Sequence, residues 1–117
     1  MIENRELLDF LTYLSHRYDI RPVPRLVIED QPFLARDGST QLGTVVHGDN
    51  ERATITVANV PDALQIVAHE VGHILYCRGT YEDPKFEREL DELAAFDLDR
   101  YRRESRRTEQ QREAKSR

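Results

Sequence analysis

The sequence predicts an α+β fold, a small antiparallel sheet packed on three main helices. Three observations carry that expectation. Apolar residues recur at helical spacing over residues 4–18, in the sixties and seventies, and from about residue 83 to residue 101. Short β-branched runs stand at residues 26–28, 43–47 and 53–57, bounded by Gly, Pro, Asp and Asn. The length, 117 residues, suffices for one domain with one modest core. The domain is expected over residues 1–101. Residues 102–117 are expected to be a charged basic tail, a frayed helix or disordered, because the apolar pattern stops there.

The first helix is drawn by Leu7, Leu11, Leu14 and Tyr18 on one face, widened by Leu8, with Asn4 as its N-cap. His16 falls off that stripe and reads as a surface residue. Arg21-Pro22-Val23-Pro24 ends the helix, since proline and the residue before it favour extended backbone. Leu26-Val27-Ile28 is a short strand. Residues 30–42 carry Pro32 and Asp37-Gly38 and read as a loop, with Phe33 and Leu34 folding it back onto the body. Gly43–His47 and Ala53–Val57 flank Gly48-Asp49-Asn50-Glu51, a hairpin signal. Thr54 and Thr56 alternate with Ile55 and Val57, giving one polar and one buried face. Pro61 can open the next helix and Gly79 can close it. Asp83-Pro84 opens the third, whose apolar stripe is Phe86, Leu90, Leu93 and Tyr101.

The second of these helices carries His69-Glu70-Val71-Gly72-His73, which reads H-E-x-x-H, among Leu64, Val67, Ala68, Val71, Ile74 and Leu75. Residues four apart on a helix share a side, so His69 and His73 can offer two imidazole nitrogens to one metal ion at about 2.0–2.1 Å. Glu70 is then placed to act on a water as a general base without binding the metal. Such a site needs a third protein ligand and an open position. The next helix offers Glu87, Glu89, Asp91 and Glu92.

With Glu92 taken as the third ligand the motif becomes H-E-x-x-H-x18-E, and Glu92-Leu93-Ala94-Ala95-Phe96 follows the pattern E-x-x-x-F. In these two short motifs the chain resembles the gluzincins, zinc metallopeptidases with a Glu ligand on a following helix. The nearer likeness is to minimal gluzincins and ImmA/IrrE-like peptidases, over residues 43–98. The resemblance implies a zincin-like catalytic domain holding Zn²⁺ by His69, His73 and Glu92, with Glu70 as catalytic base. Glu89 is the main rival of Glu92. Metzincins would need Gly at position 76 and His at 79, where this chain has Tyr76 and Gly79. Thermolysin-like gluzincins place an acid four residues beyond the ligand Glu to orient the first His. Here that position is Phe96, which leaves Asp91, Asp97 or a backbone carbonyl for the task. Tyr76, Tyr81, His47 and Tyr101 are candidates to stabilise an oxyanion. One strand of the hairpin, exposed at a sheet edge, is the candidate to pair with an extended substrate.

The expected function is zinc-dependent hydrolysis of a peptide bond in a peptide or protein, latent or active in isolation. The alternative is an inactive zincin fold used for metal binding or protein interaction. The lone cysteine, Cys77, excludes an internal disulfide. It reads as a small packing residue, with a fourth metal contact as the sharper reading. Residues 1–99 carry a net charge of −10 and residues 100–117 a net +5. An acidic body argues against a nucleic-acid partner. No apolar run of about 18 residues is present, so no membrane span is expected. The acidic N-terminus does not read as a signal peptide, and a cytoplasmic location is expected.

Overall fold

Residues 2–34, 38–47, 52–76 and 84–115 are described by the structure, a computed structural model. They form α1 (Asn4–Arg17), β1 (Arg25–Glu29), β2 (Phe33–Leu34), β3 (Thr40–Gln41), β4 (Gly43–His47), β5 (Ala53–Ala58), α2 (Ala63–Leu75) and α3 (Pro84–Lys115). The architecture is mixed α and β, three helices with a small main sheet. α2 is the hub, packed against α1, α3, β4 and β5. Its sequence explains this: Ala63, Leu64, Val67, Ala68, Val71 and Gly72 are all buried, covering more than one face of the helix.

The sheet order is β1-β5-β4. β4 and β5 form the expected hairpin, with Gly43 opposite Val57 and His47 opposite Ala53. β1, however, lies parallel to β5, with Leu26 opposite Ile55 and Ile28 opposite Val57, so the sheet is mixed rather than antiparallel. A hairpin forces antiparallel pairing only between strands joined by a short turn. The chain between β1 and β5 is long enough to cross over and re-enter in the same direction. β2 and β3 form a separate two-stranded ribbon inside the segment expected to be loop. Within it Phe33 is half-buried but Leu34 is exposed.

The core joins Leu7, Phe10, Leu11 and Leu14 of α1 to Ile55 and Val57 of β5, to α2, and to Ala94 and Leu98 of α3. Phe10 takes the place expected for Leu8, which is exposed. Phe10 continues the buried line of Leu7, Leu11 and Leu14, and its ring lies 4.8 Å from that of Tyr101 on α3. Leu8 sits one residue, or about 100°, round the helix from Leu7. The caps also differ from expectation. Glu3, not Asn4, precedes the first helical residue, and its side chain makes no capping bond. α2 starts after Asp62, with Pro61 in the turn before it. Gly79, Asp83, Cys77, Tyr81 and the hairpin tip at 48–51 lie outside the described residues.

α3 meets the core through Leu90, Ala94, Asp97 and Leu98. Gly72 lets α3 approach: a Cβ there would stand 2.7 Å from Leu90 Cδ2. The close neighbour is thus a side chain, whereas a glycine inside a helix, costing about 1 kcal/mol relative to Ala, suggests the close approach of another backbone. Farther along, Tyr18 donates its hydroxyl proton to buried Asp97 Oδ2 at 2.7 Å, and Arg17 Nε stands 3.6 Å from Asp97 Oδ1. From Arg102 onward α3 continues as helix, with the described side chains exposed apart from half-buried Ser105. No helix among the described residues is long and apolar enough to cross a membrane.

Candidate metal centre

Two helices build the site. On α2, His69 and His73 stand one turn apart on the side that faces α3, and their Nε2 atoms approach to 3.2 Å. Across the seam, the first turns of α3 supply Glu87. Its Oε2 lies 2.7 Å from His69 Nε2 and its Oε1 lies 3.1 Å from His73 Nε2. His69, His73 and Glu87 are all half-buried, and among the described residues they are the one group of three whose ligand atoms converge closely enough for a metal ion.

The acid that the structure brings to the two histidines is Glu87; Glu92, the expected third ligand, is not in this group. Glu92 is exposed, as is Glu89. The reason is rotation: five residues along a helix turn a side chain by about 140°, so Glu87 and Glu92 cannot face the same neighbour. The buried line through Leu90, Ala94, Asp97 and Leu98 sets which face α3 turns inward. The segment Glu92-Leu93-Ala94-Ala95-Phe96 accordingly presents both Glu92 and Phe96 to solvent.

Asp91 follows Glu87 by four residues and shares its side of α3. His69 Nδ1 lies 2.7 Å from Asp91 Oδ1. With a metal ion in place of a proton at Nε2, Nδ1 would carry the proton and donate it to Asp91. Asp91 is thus the candidate acid that meets His69, while Asp97, the other candidate, is engaged by Tyr18 and Arg17.

Glu70, between the two histidines in sequence, also reaches the start of β4. It is 8% exposed. Its neighbour is the start of β4, where a Cβ on Gly43 would lie 3.3 Å from Glu70 Oε1 and would collide with Ile66. The missing side chain at Gly43 lets the edge strand β4 lie directly over Glu70. Burial raises the Glu70 carboxyl to about 7; the charge of His69 opposes this and that of Glu87 adds to it. His73 is pushed below its ordinary value, chiefly by burial. Burial therefore favours the neutral imidazole, which is the form that ligates.

The oxyanion candidates separate. Tyr76 is exposed at the end of α2. Tyr101 packs against Phe10 and Tyr13, with ring centres 4.8 and 5.0 Å away, on the α1 side of α3. The side chain of His47 and all of Tyr81 lie outside the described residues.

The donor set can be tested for fit. A tetrahedral ion with ligands at about 2.0–2.1 Å needs donor atoms about 3.3 Å apart. The two imidazole nitrogens, 3.2 Å apart, are close to that edge. Glu87 turns one carboxylate oxygen to each of them, Oε2 at 2.7 Å from His69 Nε2 and Oε1 at 3.1 Å from His73 Nε2, so a single oxygen of Glu87 has both nitrogens within reach of a shared ion. The two imidazoles and one carboxylate fit a small divalent cation. Comparison with known proteins adds nothing to this: no protein-family model, curated protein or solved structure matches the chain.

Proposed function

We propose that the protein is a zinc-dependent hydrolase acting on peptide bonds, with His69, His73 and Glu87 as metal ligands, Asp91 orienting His69, and Glu70 as catalytic base. The observation that carries this reading is the convergence of His69 Nε2, His73 Nε2 and a Glu87 carboxylate oxygen, all within 4.8 Å of one another, beside a buried carboxylate that stands outside the cluster. Two imidazoles and a carboxylate with one more position to fill is the donor set of a catalytic rather than a structural zinc site. Bound there, zinc would polarise a substrate carbonyl and lower the pKa of a water.

The remaining steps belong to the chain. Glu70 takes a proton from the attacking water and returns it to the departing amine. The protein wall around Glu70 keeps its carboxylate poorly hydrated and so more basic. A peptide is the favoured substrate because β4 is a sheet edge lying over Glu70. An edge strand offers N–H and C=O groups to an extended chain, which would then run past the base.

Glu70→Gln keeps the size of the side chain and removes its basicity. Expected is unchanged zinc content with peptide hydrolysis reduced about 10²–10⁴-fold, measured on a library of quenched fluorescent peptides. Hydrolysis at the wild-type rate in Glu70→Gln would remove Glu70 from the mechanism.

A further inference from the structure

The second ligand histidine has an aromatic neighbour. Phe86 precedes Glu87 in the first turn of α3, and its ring meets the His73 imidazole edge to face, with centres 5.8 Å apart and planes at 73°. The separation and tilt are those of a favourable aromatic pair. Phe86 is half-buried, so its ring is partly covered and partly at the rim of the site.

We propose that Phe86 is a positioning residue for the metal centre, holding the plane of the His73 imidazole through its aromatic edge. The proposal rests on the metal reading above. The torsion that turns an imidazole about its Cβ–Cγ bond is broad. A ligand nitrogen must nevertheless be aimed to within about 10–20° for its lone pair to meet the ion. On His69 the aim is set by Asp91 at Nδ1. On His73 a flat ring packed at 73° restricts the same rotation by contact.

The placement has a second consequence. Phe86 and Glu87 are consecutive, so the contact that orients His73 also fixes the turn from which Glu87 reaches both imidazoles. Pro84, the first residue of α3, limits the backbone just before them. One contact thereby ties the α2 ligands to the α3 ligand.

The test compares Phe86→Leu, which keeps bulk without a ring, with Phe86→Tyr, which keeps the ring. Zinc affinity is measured by competition with a chromophoric chelator, and the visible spectrum is recorded at saturating Co²⁺. Phe86→Leu is expected to bind zinc about tenfold more weakly, the lower end of effects seen for groups that orient ligands. Its Co²⁺ bands should shift in position or intensity even when the site is full. Phe86→Tyr should restore both affinity and spectrum. Thermal unfolding of the metal-free proteins separates a general loss of stability, which would leave the saturated Co²⁺ spectrum unchanged. The proposal is overturned if Phe86→Leu matches wild type in affinity and spectrum, or if Phe86→Tyr is as impaired as Phe86→Leu. Failure of wild type itself to bind zinc or Co²⁺ would instead remove the metal reading on which the proposal stands.

Discussion

At the scale of single residues, the account turns on which acids face two imidazoles. His69 Nδ1 lies 2.7 Å from Asp91 Oδ1, and the Asp91 side chain is 60% exposed. An exposed acceptor adds little to the stability of the fold, but it can still set the tautomer of a ligand. Asp91→Asn is therefore expected to leave the unfolding midpoint nearly unchanged and to weaken zinc binding about 10–100-fold, read by chelator competition. Equal zinc affinity would leave His69 oriented by something else. The pairing of His69 with His73 was legible in the sequence because it depends on spacing within one helix. The acid partner was not. It depends on how a second helix is rotated after a connection at 77–83, and no residue count across that connection sets the angle. The E-x-x-x-F pattern pointed to Glu92, whereas burial of Leu90 and Ala94 brings Glu87 and Asp91 beside the histidines of α2.

At the scale of elements, the seam between α2 and α3 decides whether the three ligands meet. Gly72 lies in that seam against Leu90, and a methyl group there would force Leu90 or the whole of α3 to move. Gly72→Ala improves helix propensity by about 1 kcal/mol. Overpacking a buried contact costs about 1–3 kcal/mol. A net loss of about 1 kcal/mol in urea unfolding is expected. The sharper readout is the metal, because Glu87 rides on α3 while both histidines ride on α2. Zinc affinity should fall by more than the small stability change suggests, on the order of tenfold, an effect of the size seen when groups that orient ligands are lost. Unaltered affinity in Gly72→Ala would mean that Leu90 rotates aside and the helices keep their spacing. The sequence marked Gly72 as a position of close approach, since glycine inside a helix needs a reason. It suggested a backbone, and what approaches is the Leu90 side chain.

At the scale of the whole molecule, α2 lies among the sheet, α1 and α3, and places its two outward chemistries on different neighbours. The histidines turn to α3, and Glu70 turns to the edge strand β4. The proposed hydrolysis uses this division: the proposed ligands are bridged between helices, while the proposed base faces the strand beside which a peptide would lie. The three helices and the β4–β5 hairpin were legible from periodicity and turn residues. The parallel pairing of β1 with β5 was not, because strands distant in sequence carry no turn to fix their direction. The same helix α3 that carries Glu87 also closes the core at Leu98 and holds Asp97 against Tyr18. Metal affinity and fold stability should therefore be coupled through it. The most direct test of the central claim is zinc content by elemental analysis after zinc loading and dialysis, with wild type, Glu87→Ala and Glu92→Ala side by side. The account predicts one zinc per chain in wild type and in Glu92→Ala, and loss of zinc in Glu87→Ala. Zinc retained in Glu87→Ala and lost in Glu92→Ala, or none bound by wild type, would contradict it.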